Sequence, residues 1–208
     1  MQIIVKAPKN EGGFPPIEAG SYRAICYGLI VEGTFFNPVY EKTSKKVRIM
    51  WELPDERITV DGEDKPRAIS AEYNLSLHEK SALYSMLIGW RGRDFTPEEL
   101  EGFDLVNIVK APCLISTTIG TNPKTGKEYA NVSAVGRLPK GMIVPKDTEN
   151  PVVIFDITNR DCPLEDMEKL PEWIQNQIKD SVEYKERTDP SINDYAIVSN
   201  DEDLPFDV

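Results

Sequence analysis

In two segments between Ser21 and Leu138 the apolar residues keep a strict two-residue period, and this pattern narrows the folds open to the chain more than any motif does. Ser21–Val31 is rich in β-branched and aromatic residues. Lys46–Leu53 sets Val47, Ile49, Trp51 and Leu53 on one face and Arg48 and Glu52 on the other. Arg67–Leu75 sets Ile69, Ala71, Tyr73 and Leu75 against Ser70, Glu72 and Asn74. Such alternation marks half-buried strands. A turn cluster, PDERITVDGEDKP, precedes the third strand and holds a short candidate strand of its own at Arg57–Val60. The period then lengthens. Ser76–Trp90 places Leu83, Met86, Leu87 and Trp90 on one helical face, with Ser76 as N-cap and Glu79 at the capping-box spacing. Thr96–Glu101 reads as a second short helix, with Thr96 as cap and Pro97 at its first position. Strands resume at Ala111–Ile119 and Glu128–Leu138, joined by TNPKTGK as a hairpin.

The order strand–strand–strand–helix–strand–strand is that of the OB-fold, a five-stranded Greek-key barrel that binds oligonucleotides on one sheet face and on its loops 1–2 and 4–5. The expected fold is therefore mainly β: an OB-fold-like barrel with a helix between strands three and four. Another small β-barrel or an α+β sandwich fits the same segments, with Gln2–Val5 and Val152–Phe155 as further strands. Residues 1–160 would form this body. A Pro-punctuated link, LPKGMIVPKDTENP, leads to the late strand and then to a helical stretch at Pro163–Tyr184. There Trp173, Ile174, Gln177, Ile178 and Val182 make a stripe suited to packing on the barrel or on a second subunit, as in a homodimer. From 185 to 208 the composition is polar and turn-rich, the signature of a disordered tail.

A net charge of −11 argues at first against nucleic acid. Its distribution changes that reading. Residues 1–160 carry only −1, residues 161–182 carry −4, and residues 183–208 carry −6. A nearly neutral body with an acidic tail is a different object from an acidic protein. No apolar run approaches the roughly 20 residues that span a bilayer, and the first residues lack the layout of a signal peptide, so no membrane association and a cytoplasmic location are expected. Cys26, Cys113 and Cys162 are far apart and form no metal-site spacing; the first two read as buried thiols.

Catalytic signatures are missing. The single histidine, His78, has no second ligand at metal spacing. GTNPKTGKE resembles a P-loop only superficially: five residues separate Gly120 from Gly126, Glu128 stands in the Ser/Thr place, and a strand follows. No enzyme activity, metal or cofactor is expected.

The binding signature is fuller. The first loop, from Gly33 to Lys45, presents Phe35, Phe36 and Tyr40 beside Lys42, Lys45, Lys46 and Arg48. Single strands are held by aromatic platforms that stack bases and cations that follow phosphates. The loop Gly120–Lys127 adds Lys124, Lys127 and, just beyond it, Tyr129; the helix end WRGRDF adds Arg91 and Arg93. Phe35 and Phe36 also suit the packing of a barrel end, and Lys45 and Lys46 the protection of an edge strand. Trp51 and Tyr73 sit among apolar neighbours and read as core.

The chain ends SNDEDLPFDV, where Asp201, Glu202 and Asp203 lead into Leu204, Pro205 and Phe206. Carboxylates suit a basic pocket, and a Leu-Pro-Phe hook supplies an apolar anchor. This tip resembles the acidic Pro-Phe tips of bacterial single-stranded-DNA-binding proteins. With the barrel order and the aromatic-basic loops, the chain looks like a phage- or prophage-type member of that group, and WRGRDFTPEEL followed by FDL is similar to segments of small phage replication-associated proteins. The resemblance implies single-stranded DNA binding without sequence preference, with the tail recruiting replication or recombination proteins in a bacterial host cytoplasm. One departure stands out: Asp207 and Val208 follow the Phe that ends the bacterial tips. The competing expectation is a protein–protein adaptor or phage structural protein whose barrel binds no nucleic acid.

Overall fold

The computed structural model describes residues 14–189. The expected strand at Gln2–Val5 and the tip from Asp201 to Phe206 lie outside the described residues. Six strands form one sheet: β1 (Gly20–Asn37), β2 (Lys42–Val60), β3 (Glu63–Asn74), β4 (Pro112–Thr121), β5 (Glu128–Gly136) and β6 (Val153–Asp156). Five of them form an antiparallel half-barrel in the order β3-β2-β1-β4-β5, and β6 adds to β1 in parallel. The fold is mainly β, as the alternation predicts.

The first two hairpins are longer than expected. β1 and β2 stay paired out to Asn37 opposite Lys42, so most of the predicted first loop is strand. β2 also runs through the supposed turn cluster, shifts register between Leu53 and Arg57, and turns back at Asp61 and Gly62, both at positive φ. That two-residue turn matches the twist of the flanking strands.

Helix α1 (Ala82–Arg91) starts later than the Ser76 spacing predicts. Ser81 is the N-cap, its Oγ accepting from the Tyr84 N–H at 3.1 Å, and the Ser81 hydroxyl in turn donates to the Ser76 carbonyl at 2.6 Å. The residues before it form a turn rather than a first helical turn. α2 (Pro97–Glu101) has the predicted Thr96 cap and Pro97 at its start, and Thr96 and Glu99 also form a capping box, which the spacing predicts at Ser76 and Glu79 instead. α1 packs on β3 and β5, the outer strands of the half-barrel, and fills the space between them. It approaches so closely that a Cβ on Gly89 would lie 2.7 Å from the Val135 carbonyl oxygen.

β1 is buried from Ala24 to Gly33 without interruption because both of its faces are covered. On one side Cys26, Leu29, Val47, Ile49, Trp51 and Leu53 meet Leu83, Leu87 and Trp90 of α1. The rings of Trp51 and Trp90 lie 5.9 Å apart, and the Trp90 indole donates to the Pro112 carbonyl. Cys26 and Cys113 are fully buried, and burial pushes the Cys26 thiol up to about 12. On the other side Tyr27, Ile30 and Met50 meet Phe155, Ile157, Met167 and Leu170.

This second core is closed by the C-terminal stretch, which is not one helix. A 3-10 turn (Leu164–Lys169) is followed by α3 (Glu172–Lys179) and α4 (Val182–Thr188). Pro171 and Ser181 set the breaks, each standing at the N-cap of the helix that follows. Ile174 and Ile178, one helical turn apart, are fully buried. Of the predicted stripe, Ile174, Gln177 and Ile178 face this chain's own sheet, while Trp173 and Val182 stay exposed. α4 reaches Asp189, and Arg187 ties it down by donating to the carbonyls of Ile157, Asn159 and Cys162. Among the described residues no helix is long and apolar enough to cross a membrane.

Candidate nucleic-acid interface

The tip of the β1–β2 hairpin extends beyond both cores. Phe36 pairs with Thr43 and Phe35 with Ser44, and residues 38–41 make the turn, stapled by the Asn37 side chain accepting from the Val39 N–H. Phe36 is 60% exposed, Tyr40 72% and Val39 80%. Phe35 is half-buried. Lys42, Ser44 and Lys46 alternate on β2 and so share one face. With Tyr40 and Asn74 they line a cleft of about 550 Å³. Lys42 has no ion pair among the described residues, while Lys46 reaches Glu72 at 3.2 Å. Lys45 is exposed, and its charge helps hold the Glu183 carboxylate below its usual range against burial, alongside the hydrogen bonds from Thr34. The hairpin thus presents two aromatic rings and three lysines at one end of the sheet.

Tyr129, Lys124 and Lys127 sit on the β4–β5 hairpin, all exposed. The Asn122 side chain shapes that turn by accepting from the N–H groups of Lys124 and Thr125. The Tyr129 ring lies across Gly120, where an added Cβ would meet its Cζ at 2.9 Å. Gly20 pairs with Thr117, so this hairpin projects from the start of β1 and the first hairpin from its end. The two loops grouped by the sequence pattern stand at opposite ends of one 18-residue strand.

Arg48 departs from its expected place. It is buried, not offered to solvent. Its Nε donates to Glu32 at 2.5 Å, its Nη2 to Glu72 and to Gln177 at 3.1 Å each, and its guanidinium lies 4.7 Å from the Trp173 ring centre. It bolts α3 to the sheet and is removed from the interface. The alternation of β2 correctly sets Arg48 opposite the first core, but that opposite face is covered by the C-terminal module. Glu32 is fully buried, and burial raises its carboxyl to about 7 despite Arg48. Burial also works against ionised Glu72, yet Gln177, Lys46 and Arg48 together hold it below the usual range.

Arg91 and Arg93 both engage Glu99. Arg91 also lies over the rings of Phe95 and Phe103, at 4.2 and 4.9 Å. Arg93, Arg91 and the Thr96 N–H hold the Glu99 carboxyl far below its usual range. Arg93 keeps an exposed side chain and Arg91 does not. Val39, Asn74 and Arg137 complete the exposed surfaces beside these groups and were not singled out by the sequence; Arg137, read there as part of the strand Glu128–Leu138, lies just past the end of β5. Among the described residues no group of three or more His, Cys, Asp or Glu side chains could hold a metal ion. The chain matches no protein-family model, no curated protein and no solved structure.

Proposed function

We propose that the chain binds single-stranded DNA without sequence preference and protects it during replication, recombination or repair, in a phage or prophage setting. The observation that carries this reading is the β1–β2 tip: Phe36 and Tyr40 stand exposed on a hairpin that also carries Lys42, Lys45 and Lys46, and Tyr40, Lys42 and Lys46 line an open cleft. Phe36, Val39 and Tyr40 are exposed together at the tip, and apolar groups clustered on a surface point to a contact site where a single exposed ring does not. Stacking contributes about 1–3 kcal/mol per base, so two rings suffice for useful affinity when lysines hold the phosphates. The strand order β3-β2-β1-β4-β5 with α1 between the outer strands suits an OB-type barrel, and we read it as one. On this reading the acidic tail competes for the lysines when DNA is absent, and its Leu204-Pro205-Phe206 hook recruits partner proteins when DNA has displaced it.

Fluorescence anisotropy of labelled oligo-dT tests this, with the full chain and a chain cut after Asp189, over a salt series. The cut belongs there because α4 is anchored through Arg187. It removes five acids and no base. Binding that weakens with salt and tightens on truncation is expected. No binding by either form at low salt refutes the reading and leaves the adaptor or structural protein that the net charge of −11 favours.

A further inference from the structure

Away from the hairpin tips, the end of α1 borders a cleft of about 780 Å³. That size falls within the roughly 300–1,000 Å³ of small-molecule sites. Its walls are apolar, from Trp90, Phe103, Ile108, Pro112 and Leu138. Its charged lining is three arginines, Arg91, Arg93 and Arg137, and one acid, Glu99.

The local fold builds this arrangement. Gly92 ends α1 at φ 67°, in the left-handed region, and turns the chain so that Arg93 follows directly. The N–H of Arg137 donates to the Gly89 carbonyl, and the Arg137 stem crosses Gly92, where a Cβ would lie 3.3 Å from its Cδ. β5 is thereby fastened to the helix end with its terminal guanidinium at the cleft. Glu99 is held by its own helix cap, by Arg91 and by both terminal nitrogens of Arg93. One carboxylate therefore answers two arginines, and Arg137 has no ion pair among the described residues. Arg91 Nη1 also has no acceptor among them.

An apolar cleft with two positive charges in excess suits a ligand that is part flat and apolar, part dianionic. We propose that this cleft binds a nucleoside monophosphate group, the base against the apolar walls and the phosphate at Arg93 and Arg137. A phosphomonoester carries about −1.5 to −2 at neutral pH and matches that excess, whereas a phosphodiester in mid-strand carries a single charge. Arginine's planar fork fits phosphate oxygens in pairs. The ligand is either a free nucleotide or the phosphorylated end of a strand. The second source rests on the single-stranded DNA reading; the first does not.

Titration calorimetry separates these. The full-length protein is titrated with dTMP, with thymidine, and with oligo-dT bearing either a 5′-phosphate or a 5′-hydroxyl. dTMP is expected to bind at least about tenfold tighter than thymidine, since charge-assisted bonds to the phosphate are lost in the nucleoside. The doubly substituted Arg93→Ala/Arg137→Ala protein loses that difference with its melting temperature kept. A gain from the 5′-phosphate on the oligonucleotide that disappears in the variant assigns the site to strand ends. Tight dTMP with no such gain assigns it to the free nucleotide. Equal binding of dTMP and thymidine by the unaltered protein overturns the proposal. If both oligonucleotides then bind alike, the DNA reading stands without it; if dTMP binds and neither oligonucleotide does, the cleft stands and the DNA reading falls.

Discussion

Replacing Glu32 by glutamine isolates the buried carboxyl beneath α3. Glu32 has no exposed surface, and its carboxyl titrates near 7 in the folded protein against an ordinary value of 4.5. The folded state therefore binds more protons than the unfolded state between these values. Its stability falls as pH rises through that window, and the group's contribution is complete only below about 4.5. At 1.36 kcal/mol per pH unit, the raised value corresponds to about 3 kcal/mol lost between roughly pH 4 and pH 8. The amide in the Glu32→Gln chain would keep the shape and carry no proton equilibrium. Carboxylates with lowered values that lie away from this cluster, such as Glu99 and Glu149, titrate in both proteins and largely cancel in the difference. Urea unfolding of the two proteins at half-unit steps should show the E32Q chain gaining about 3 kcal/mol relative to the parent as pH rises, with the gain centred between roughly 5 and 7. The physical claim is that burial outweighs the 2.5 Å bond from Arg48. A flat difference, or one of opposite slope, would show that Arg48 keeps Glu32 ionised throughout and would refute it.

Three further outcomes are expected. The Phe36→Ala/Tyr40→Ala chain should lose about 1–3 kcal/mol of oligo-dT affinity per ring with an unchanged melting temperature, because neither ring supports a core; anisotropy and thermal melts together check this. Gly33→Ala combines a positive φ of 105° with a Cβ only 2.6 Å from the Ser181 Cβ, so it should cost roughly 2–3 kcal/mol in chemical unfolding and expose α4 to proteolysis. Ile178→Ala should cost about 2–5 kcal/mol by opening a cavity in the second core, and a loss below about 1 kcal/mol would mean that α3 docks mainly through Arg48.

The cores of β2 and β3 and the helix α1 were readable because each carries a period that only one geometry satisfies, and α2 because Thr96 and Pro97 mark a helix start. Val47, Ile49, Trp51 and Leu53 needed nothing more than their alternation to be placed in the core. Ser76 and Ser81 are both competent caps, and the backbone chose the one nearer the apolar run, which a spacing rule cannot settle. The stretch from Gly33 to Lys45 looked like a loop because near the tip neither face is in a core, so no alternation marks it as strand. Arg48 was misplaced for the converse reason. Its face is the solvent side of β2 in any local reading, and the residue that covers it, Gln177, lies 129 positions later. The same distance hid the second core: Tyr27 and Ile30 looked like one continuous apolar run, and only the arrival of β6 and α3 explains why both faces of β1 are apolar. The tip from Asp201 to Phe206 rests on its sequence alone.

That doubly covered strand has a consequence for how the protein is made. The half-barrel is complete in sequence by Gly136, but the outer face of β1 is sealed only by residues up to Ile178. At the usual pace of translation, roughly 5–20 residues per second, the interval between the emergence of Ile30 and that of Ile178 is about 7–30 s. The first core can close once Val135 has emerged, and from then until Ile178 follows, about 2–9 s at the same pace, Tyr27, Ile30 and Met50 form an open apolar strip on the nascent chain. A chaperone that engages nascent chains should therefore hold this protein longest on the face its own C-terminal helices later occupy, and let go as α3 leaves the ribosome.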